Sequence, residues 1–335
     1  MDSLTQFVLG ASVGEAVLGK KAGNRAIVWG GIGGTIPDLD VFLNPFFSEV
    51  DSLLVHRGFS HSMFFPILVA PILGYLISKL YKKNGNRNSW IALFFWTIFT
   101  HPLLDLFTGY GTALLTPFYD YRFQLDTIFI IDPGYTTPLF LAVIACLFLK
   151  RHSQIRRNLN WIGIGLAQAY LLFTIYHKIS FNQIVNRNIE QQSITSRRFM
   201  TAPAPLNNFL WWALIETDDR FLVGYYSFFD SSERIEFKEM SKGHSLLNEY
   251  AEHDQVRKLI KFTKGYYTTR FKDNGLIFND LRFGTTKGWF DLTKDFIFSF
   301  DIEQINSNIY IKRRSASSSP DHQDFDRLVE RIKGI

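Results

Sequence analysis

Charge is spread so unevenly along this chain that it sets the first limit on the fold. Residues 1–180 hold 24 of the 67 Asp, Glu, Lys and Arg residues, and residues 181–335 hold the other 43. Between the sparse charges of the first part lie apolar runs near 4–19, 26–43, 63–81, 90–107, 134–150 and 161–179. A helix needs about 20 mostly apolar residues to cross the hydrocarbon core of a bilayer. The last four runs are long enough; the first is short, and packs against the others or spans at a tilt. The start, "MDSLTQ", lacks the basic region and small-residue cleavage site of a removed signal peptide, and offers Asp2 or Ser3 as a helix N-cap. The expected fold is mainly α: a polytopic helical membrane bundle over 1–180, followed by a smaller α+β soluble domain over 181–335.

Basic residues then give a sidedness. Lys20, Lys21 and Arg25, then Lys79, Lys82, Lys83 and Arg87, then Lys150, Arg151, Arg156 and Arg157 make up 11 of the 14 Lys and Arg in residues 1–180. Three short basic clusters between apolar runs are the pattern of cytoplasmic loops. The loops 44–62 and 108–133, and everything after residue 180, are then expected on the opposite, non-cytoplasmic side. Asp38, Asp40, His56, His61, His101, Asp105, Asp126 and Asp132 all fall at or near that face. The net charge of +5 lies in loops rather than in a basic patch interleaved with aromatics, so no nucleic-acid partner is expected. The single cysteine, Cys146, excludes a disulfide framework and a Cys-based zinc site.

Other features are architectural. Gly30 and Gly34 form a GxxxG pattern suited to close helix approach, and Pro37 should break or kink that helix just before Asp38. Beyond residue 182 the stretches 221–230, 265–271, 275–283 and 295–303 alternate as strands do, with Asn274-Gly275 as a hairpin turn. Residues 244–262 have helical spacing, and the tail near 313–321 is expected to be flexible.

The chemistry sits in short motifs. "THPLLD" places His101 and Asp105 at i and i+4, on one helix face. They could share a metal ion through nitrogen and oxygen donors suited to Zn, Mn or Fe, or simply hydrogen-bond within the bundle. "IPDLD" places Asp38 and Asp40 two apart; carboxylates so close repel unless a cation or a shared proton relieves them, and the plainer reading is a solvated loop. In "HRGFSHS", His56 and His61 diverge on a straight helix. A turn at Gly58 with Ser60 as N-cap of a new helix would let them converge. Arg57 is no metal ligand, but its fork suits phosphate or carboxylate. Asp126 and Asp132 could ligate, act as base or orient a histidine; Asp132, before Pro133, equally suits a turn. His152, His177, His244, His253 and His322 read as structural or solvated.

Together "MDSLTQFVLGASVGEAVLGKK", "GGTIPDLD", "HRGFSHS", "HPLLDLFTGYGTALLTPF" and "DTIFIIDP" resemble the membrane-bound metal-dependent hydrolase family of the bacterial inner membrane, the YdjM-like proteins. The resemblance covers roughly residues 1–180. It implies an inner-membrane metal hydrolase with Asp38, His56, His61, His101 and Asp105 at the matching motif positions. Many relatives carry His where this chain has Gln6, which leaves no ligand from the first helix. The HxxxD pattern is also similar to that of the helical zinc phospholipase C group, which points to phosphoester substrates.

The resulting expectation is a hydrolase with a divalent metal ion, zinc first and Mn or Fe next. Asp38, His56, His61, His101 and Asp105 would be its ligands, with Asp126 or Asp40 as base and Arg57 holding an anionic group. The substrate would be a lipid or lipid-linked phosphoester drawn from the bilayer. The alternatives are an ion-binding membrane transporter and a non-catalytic membrane scaffold.

Overall fold

The computed structural model describes residues 1–272, 275–285, 295–305, 308–315 and 322–335. The described residues form two compact units. One comprises residues 1–43, 55–176 and 205–207; the other comprises 44–54, 177–204 and 208–335.

The first unit is helical. Helix α1 (Ser3–Ala22) is opened by Asp2, whose carboxylate accepts from the Thr5 amide at 3.0 Å, as the N-cap reading expects. Helix α2 (Asn24–Thr35) returns against it after Gly23, which takes a positive φ of 60°. The two helices are packed backbone to backbone. A methyl group added at Gly30 would lie 2.4 Å from the Gly10 carbonyl oxygen, and one at Gly14 would lie 2.3 Å from that of Ala26. Small residues on both helices permit this approach, so the Gly30/Gly34 pattern has a counterpart, Gly10/Gly14, that the sequence reading had not paired with it. At Pro37 the α-helix tightens into a 3-10 segment, Ile36–Phe46, rather than stopping; the missing N–H of proline removes one i to i−4 bond, and the chain continues with shorter closures.

Helix α3 (Glu49–Val55) is short, and a 3-10 turn follows at Phe59–His61. Helices α4 (Phe65–Leu80) and α5 (Arg87–Asp105) pack so tightly that a methyl at Gly74 would touch the Ile91 backbone at 2.5 Å. The buried stripe of α5 is Trp90, Leu93, Phe94, Thr97, Ile98, His101, Leu104 and Asp105. That is one face at three- and four-residue steps, and its last two polar members extend an otherwise apolar core. Helix α6 (Pro133–Phe148) is capped by Asp132, which accepts from the Gly134 amide at 2.8 Å. Asp132 therefore takes the turn role. Helix α7 runs from Gln154 to Gln191.

Among the described residues, two segments are long and apolar enough to span a membrane, Asn24–Phe46 and Gln154–Gln191; a third is added if Glu49–His61 and Phe65–Leu80, bent by 64°, count as one broken span. This is fewer than the polytopic bundle expected from the apolar runs. The runs at 90–107 and 134–150 differ from expectation for separate reasons. Helix α5 mixes aromatic and polar residues, including Trp96, Thr97, Thr100 and His101, and α6 has 16 residues.

The second unit carries two antiparallel four-stranded meanders. One is β1 (Arg198–Pro203), β2 (Leu210–Glu216), β3 (Arg220–Ser227) and β4 (Phe237–Ser241); the other is β5 (Tyr267–Lys272), β6 (Gly275–Thr285), β7 (Phe296–Ile305) and β8 (Asn308–Arg313). Strand β2 is buried at every position, so it lacks the alternation that marks half-exposed strands, and the sequence reading missed it. Asn274, of the expected hairpin turn, lies outside the described residues, though Lys272 and Gly275 pair across β5 and β6. The tail expected to be flexible lies partly outside them too. The single helix expected over 244–262 is two pieces: a 3-10 segment, His244–Tyr250, and α8 (Asp254–Phe262), whose entry at His253 has extended backbone. Residues 44–54 join this unit through Asp51, which accepts from Lys258 at 2.9 Å. Helix α9 spans His322–Ile332.

Candidate metal centre

Four side chains from three parts of the first unit converge. Asp38 comes from the 3-10 segment after α2, His61 from the 3-10 turn before α4, and His101 and Asp105 from the last turns of α5. One ligand atom from each lies within 4.8 Å of all the others. His61 Nε2 is 3.2 Å from Asp38 Oδ1, 3.1 Å from His101 Nε2 and 3.4 Å from Asp105 Oδ2. His101 Nε2 is 3.4 Å from Asp38 Oδ1 and 3.5 Å from Asp105 Oδ2. Four donors held about 2.0–2.1 Å from one ion in a tetrahedral array lie about 3.3–3.4 Å from one another. The spacing therefore fits a single ion.

Hydrogen bonds on the far side of each ring set the tautomers. Gly34 O lies 2.5 Å from His101 Nδ1 and can only accept, so Nδ1 carries the proton. Ser60 Oγ donates its one hydrogen to Asp40 Oδ2 at 2.6 Å, and therefore accepts from His61 Nδ1 at 2.9 Å. Both Nε2 atoms then face the centre, as in metal-ligating histidines whose outer nitrogen is held by a hydrogen-bond acceptor. Asp105 Oδ2 is buried with no hydrogen-bond partner. A buried carboxylate oxygen without a hydrogen bond, 3.4 and 3.5 Å from two ring nitrogens, is costly by itself, and a divalent cation would satisfy all of them together.

The other carboxylate oxygen of Asp105 is well supplied. Gln6 Nε2 donates to Asp105 Oδ1 at 3.0 Å and the Met1 amino group is ion-paired with the same atom, while Arg57 Nε lies 3.4 Å from Oδ2. Gln6 is thus a neighbour of the centre: the first helix supplies a hydrogen bond to a ligand. Side-chain exposure is 0–1 % for His61, His101 and Asp105 but 22 % for Asp38, so solvent reaches the group past Asp38.

The remaining expected site residues are arranged differently. His56 is not one of the four. Its Nδ1 lies 2.8 Å from Asp40 Oδ1, and its ring stands edge-on to His61 with centroids 5.7 Å apart. Asp40 is engaged on both oxygens, since Oδ2 also accepts from the Arg57 amide at 3.2 Å. It links His56 to Ser60 and braces the His61 loop. Ser60 is not an N-cap; Gly58 occupies that position of the 3-10 turn, and the serine hydroxyl bridges Asp40 and the outer nitrogen of His61 instead. Arg57, buried and with a positive φ of 58°, donates to Thr108 Oγ1 at 2.7 Å and stacks over Tyr110. Its fork is directed at Asp105 and Thr108. Asp126, also at positive φ, is hydrogen-bonded by Gln124 Nε2 at 3.1 Å and is not part of the four-donor group. Glu15 is remote from the group; it pairs with buried Arg156. No spacing rule points to Ser60, the Gly34 carbonyl or Thr108, because each reaches the site through chain reversal.

Fold and site together define a helical protein with two or three candidate membrane spans and a buried Asp2His2 group able to hold a metal ion. The chain belongs to the family described as YdjM inner membrane protein, whose model matches residues 1–181. It is 30% identical over 122 residues to the inner membrane protein YbcI of Escherichia coli (strain K12), covering 36% of this chain and 69% of that protein. It is 24% identical over 303 residues to the uncharacterized protein YfhP of Bacillus subtilis (strain 168), covering 84% of this chain and 87% of the relative. No solved structure matches the chain. The match to YfhP reaches beyond the helical unit into the strand-rich part, whereas the family model stops within α7, at residue 181.

Proposed function

We propose that this inner-membrane protein is a metal-dependent hydrolase acting on an ester or phosphoester of a lipid or lipid-linked substrate at the non-cytoplasmic membrane face. The observation that carries the reading is the convergence of Asp38, His61, His101 and Asp105, whose donor atoms lie within 4.8 Å of one another. A divalent ion there, zinc by the donor set, would supply Lewis acidity and acidify water toward neutral pH.

The chain's own residues do the rest. Ser60 and Gly34 hold the Nδ1 sides of His61 and His101, so both rings present Nε2 to the centre, where each would bind an ion in its neutral form. Arg57 offsets the charge of Asp105, and the hydrogen bond from Gln6 helps hold that carboxylate in place. Asp40 has both oxygens occupied, so its part is to position His61 through Ser60. Asp126, expected beside Asp40 as general base, is likewise engaged on both oxygens, by Gln124 Nε2 at 3.1 Å, so it can accept a proton only where that amide gives way. Exposed apolar side chains lie around Asp38 in sequence, among them Leu39, Val41 and Phe42, the last 72 % exposed. They suit a substrate with acyl chains whose polar part meets the centre from the Asp38 side.

The test is to purify the full chain in detergent and measure bound metal per chain in wild type and in His101→Ala. About one ion in wild type and a large loss in the variant support the proposal. Equal, negligible metal in both overturns it. Metal without turnover of phospholipid or lipid-linked phosphoester substrates would instead favour the ion-binding transporter.

A further inference from the structure

The first unit carries a second polar site, remote from the metal centre, that the proposed hydrolysis does not use. A cavity of about 320 Å3 lies between the last turns of α1 and the first turns of α7, with Lys20, Lys21, Arg151, His152, Arg157 and Trp161 in its walls. Gln6, beside Asp105, and Lys20 stand at opposite ends of α1, about 21 Å apart at 1.5 Å per residue. The cavity is therefore at the other end of the helix from the four donors.

Its charge is unbalanced. The carboxylate in its wall, Glu15, is buried and neutralised by Arg156, with contacts of 2.7 and 2.6 Å. Among the described residues, Lys20, Lys21, Arg151 and Arg157 take part in no ion pair. Two of them are nevertheless held in place by neutral groups. Lys21 Nζ contacts Ser89 Oγ at 3.4 Å, and Arg151 Nη1 donates to the Lys21 carbonyl at 3.2 Å. Exposed cations grouped around one open cavity, with no carboxylate among the described residues paired to them, favour an anion there. Arginine forks and lysine ammonium groups together match a phosphate.

Apolar surface adjoins it. Trp161 is 52 % exposed at the cavity wall, and Ile162, next to it on α7, is 55 % exposed. A soluble phosphate has no use for such a surface, whereas a lipid does. Tryptophan is favoured at headgroup depth, and basic pockets between helices recognise anionic headgroups. We propose that this cavity binds the phosphate of an anionic phospholipid headgroup, with the acyl chains lying along the exposed face of α7.

The full chain in detergent is titrated with phosphatidylglycerol, phosphatidylcholine or inorganic phosphate, and binding is followed by thermal unfolding and by native mass spectrometry. Wild type should be stabilised by phosphatidylglycerol above phosphatidylcholine. Lys20→Gln/Arg157→Gln should weaken that binding by roughly tenfold or more, at about 1 kcal/mol per cation. The control, Lys82→Gln/Lys83→Gln in another basic cluster, should bind as wild type does. Both cavity positions are exposed, and the single Arg157→Gln variant serves if the pair does not fold. Inorganic phosphate protecting as well as the lipid would assign the site to a soluble anion and remove the lipid. No preference for the anionic lipid, or equal loss in the control, would overturn the site. Metal content should be unchanged in every cavity variant, so this result and that of the hydrolase proposal are read separately.

Discussion

The Nε2 atoms of His61 and His101 face each other across 3.1 Å. Their Nδ1 atoms are committed to Ser60 and to the Gly34 carbonyl, so neither ring can turn to relieve the contact. A proton on one ring would satisfy a single pair. A divalent ion would satisfy both nitrogens and the facing oxygens of Asp38 and Asp105 together.

Removing a ring support should weaken the centre without destroying it. Ser60→Ala leaves all four donors in place but frees the His61 ring and unpairs part of Asp40. Outer partners of metal-bound histidines are worth roughly 10–100-fold in metal affinity. A metal-competition titration should show a loss in that range with unchanged stoichiometry at saturation. An unchanged affinity would remove Ser60 from the site.

Chelation should act on stability. An ion that binds only the folded chain stabilises it by about 4 kcal/mol at a thousandfold excess over its dissociation constant. The melting temperature of wild type should therefore fall after treatment with a chelator and recover on zinc addition. Asp105→Asn should show a much smaller response. A melting temperature indifferent to both treatments would argue that the four side chains hold no ion.

The α1–α2 contact should be intolerant of size. Gly30→Ala places a methyl 2.4 Å from the Gly10 carbonyl oxygen, where only backbone could move aside. Overpacking of this kind costs about 1–3 kcal/mol. Because α2 also carries the Gly34 carbonyl that holds His101, metal affinity should drop with stability. Stability loss at full metal affinity would show that the two helices can separate without disturbing His101.

The Glu15–Arg156 pair offers the opposite case, a buried charge pair away from the centre. Both side chains are at most 5 % exposed. Arg156→Ala would strand the carboxylate, at a cost of about 3–5 kcal/mol. Denaturation should show the loss while metal per chain stays as in wild type.

In the strand-rich unit, His244 should give a pH dependence. Burial lowers its pKa below the ordinary value of 6.5, partly opposed by its 2.9 Å hydrogen bond to the Tyr267 carbonyl and reinforced by Lys242. The ring stacks on Tyr267 with centroids 4.0 Å apart. A depressed pKa means the unfolded chain takes up the proton first. The contribution is thus complete above pH 6.5 and lost as pH falls below it. Melting curves between pH 5 and 8 should show this slope in wild type and a shallower one in His244→Gln.

Local order along the chain was legible in the residues themselves. The Asp2 cap, the change of helix type at Pro37, the small-residue face of α2 and the shared face of His101 and Asp105 all follow from neighbours within a few positions, where backbone geometry is dictated by the side chains at hand. Strands β3 and β6 were legible from their aromatic and β-branched residues with partial alternation, although both are mostly buried; β2, buried throughout, was not read as a strand. The number of membrane spans was not legible, because a long apolar run and a bent or buried one have the same composition. Nor could spacing separate His56 from His61. Both lie in one short motif, yet one ring turns to Asp40 and the other to the centre. That choice depends on positive φ at Arg57, on Ser60 bridging to a carboxylate 20 residues earlier, and on α5 delivering His101 from 40 residues further on. Contacts between parts so far apart in the chain are selected by how whole helices pack, and only the folded molecule decides them.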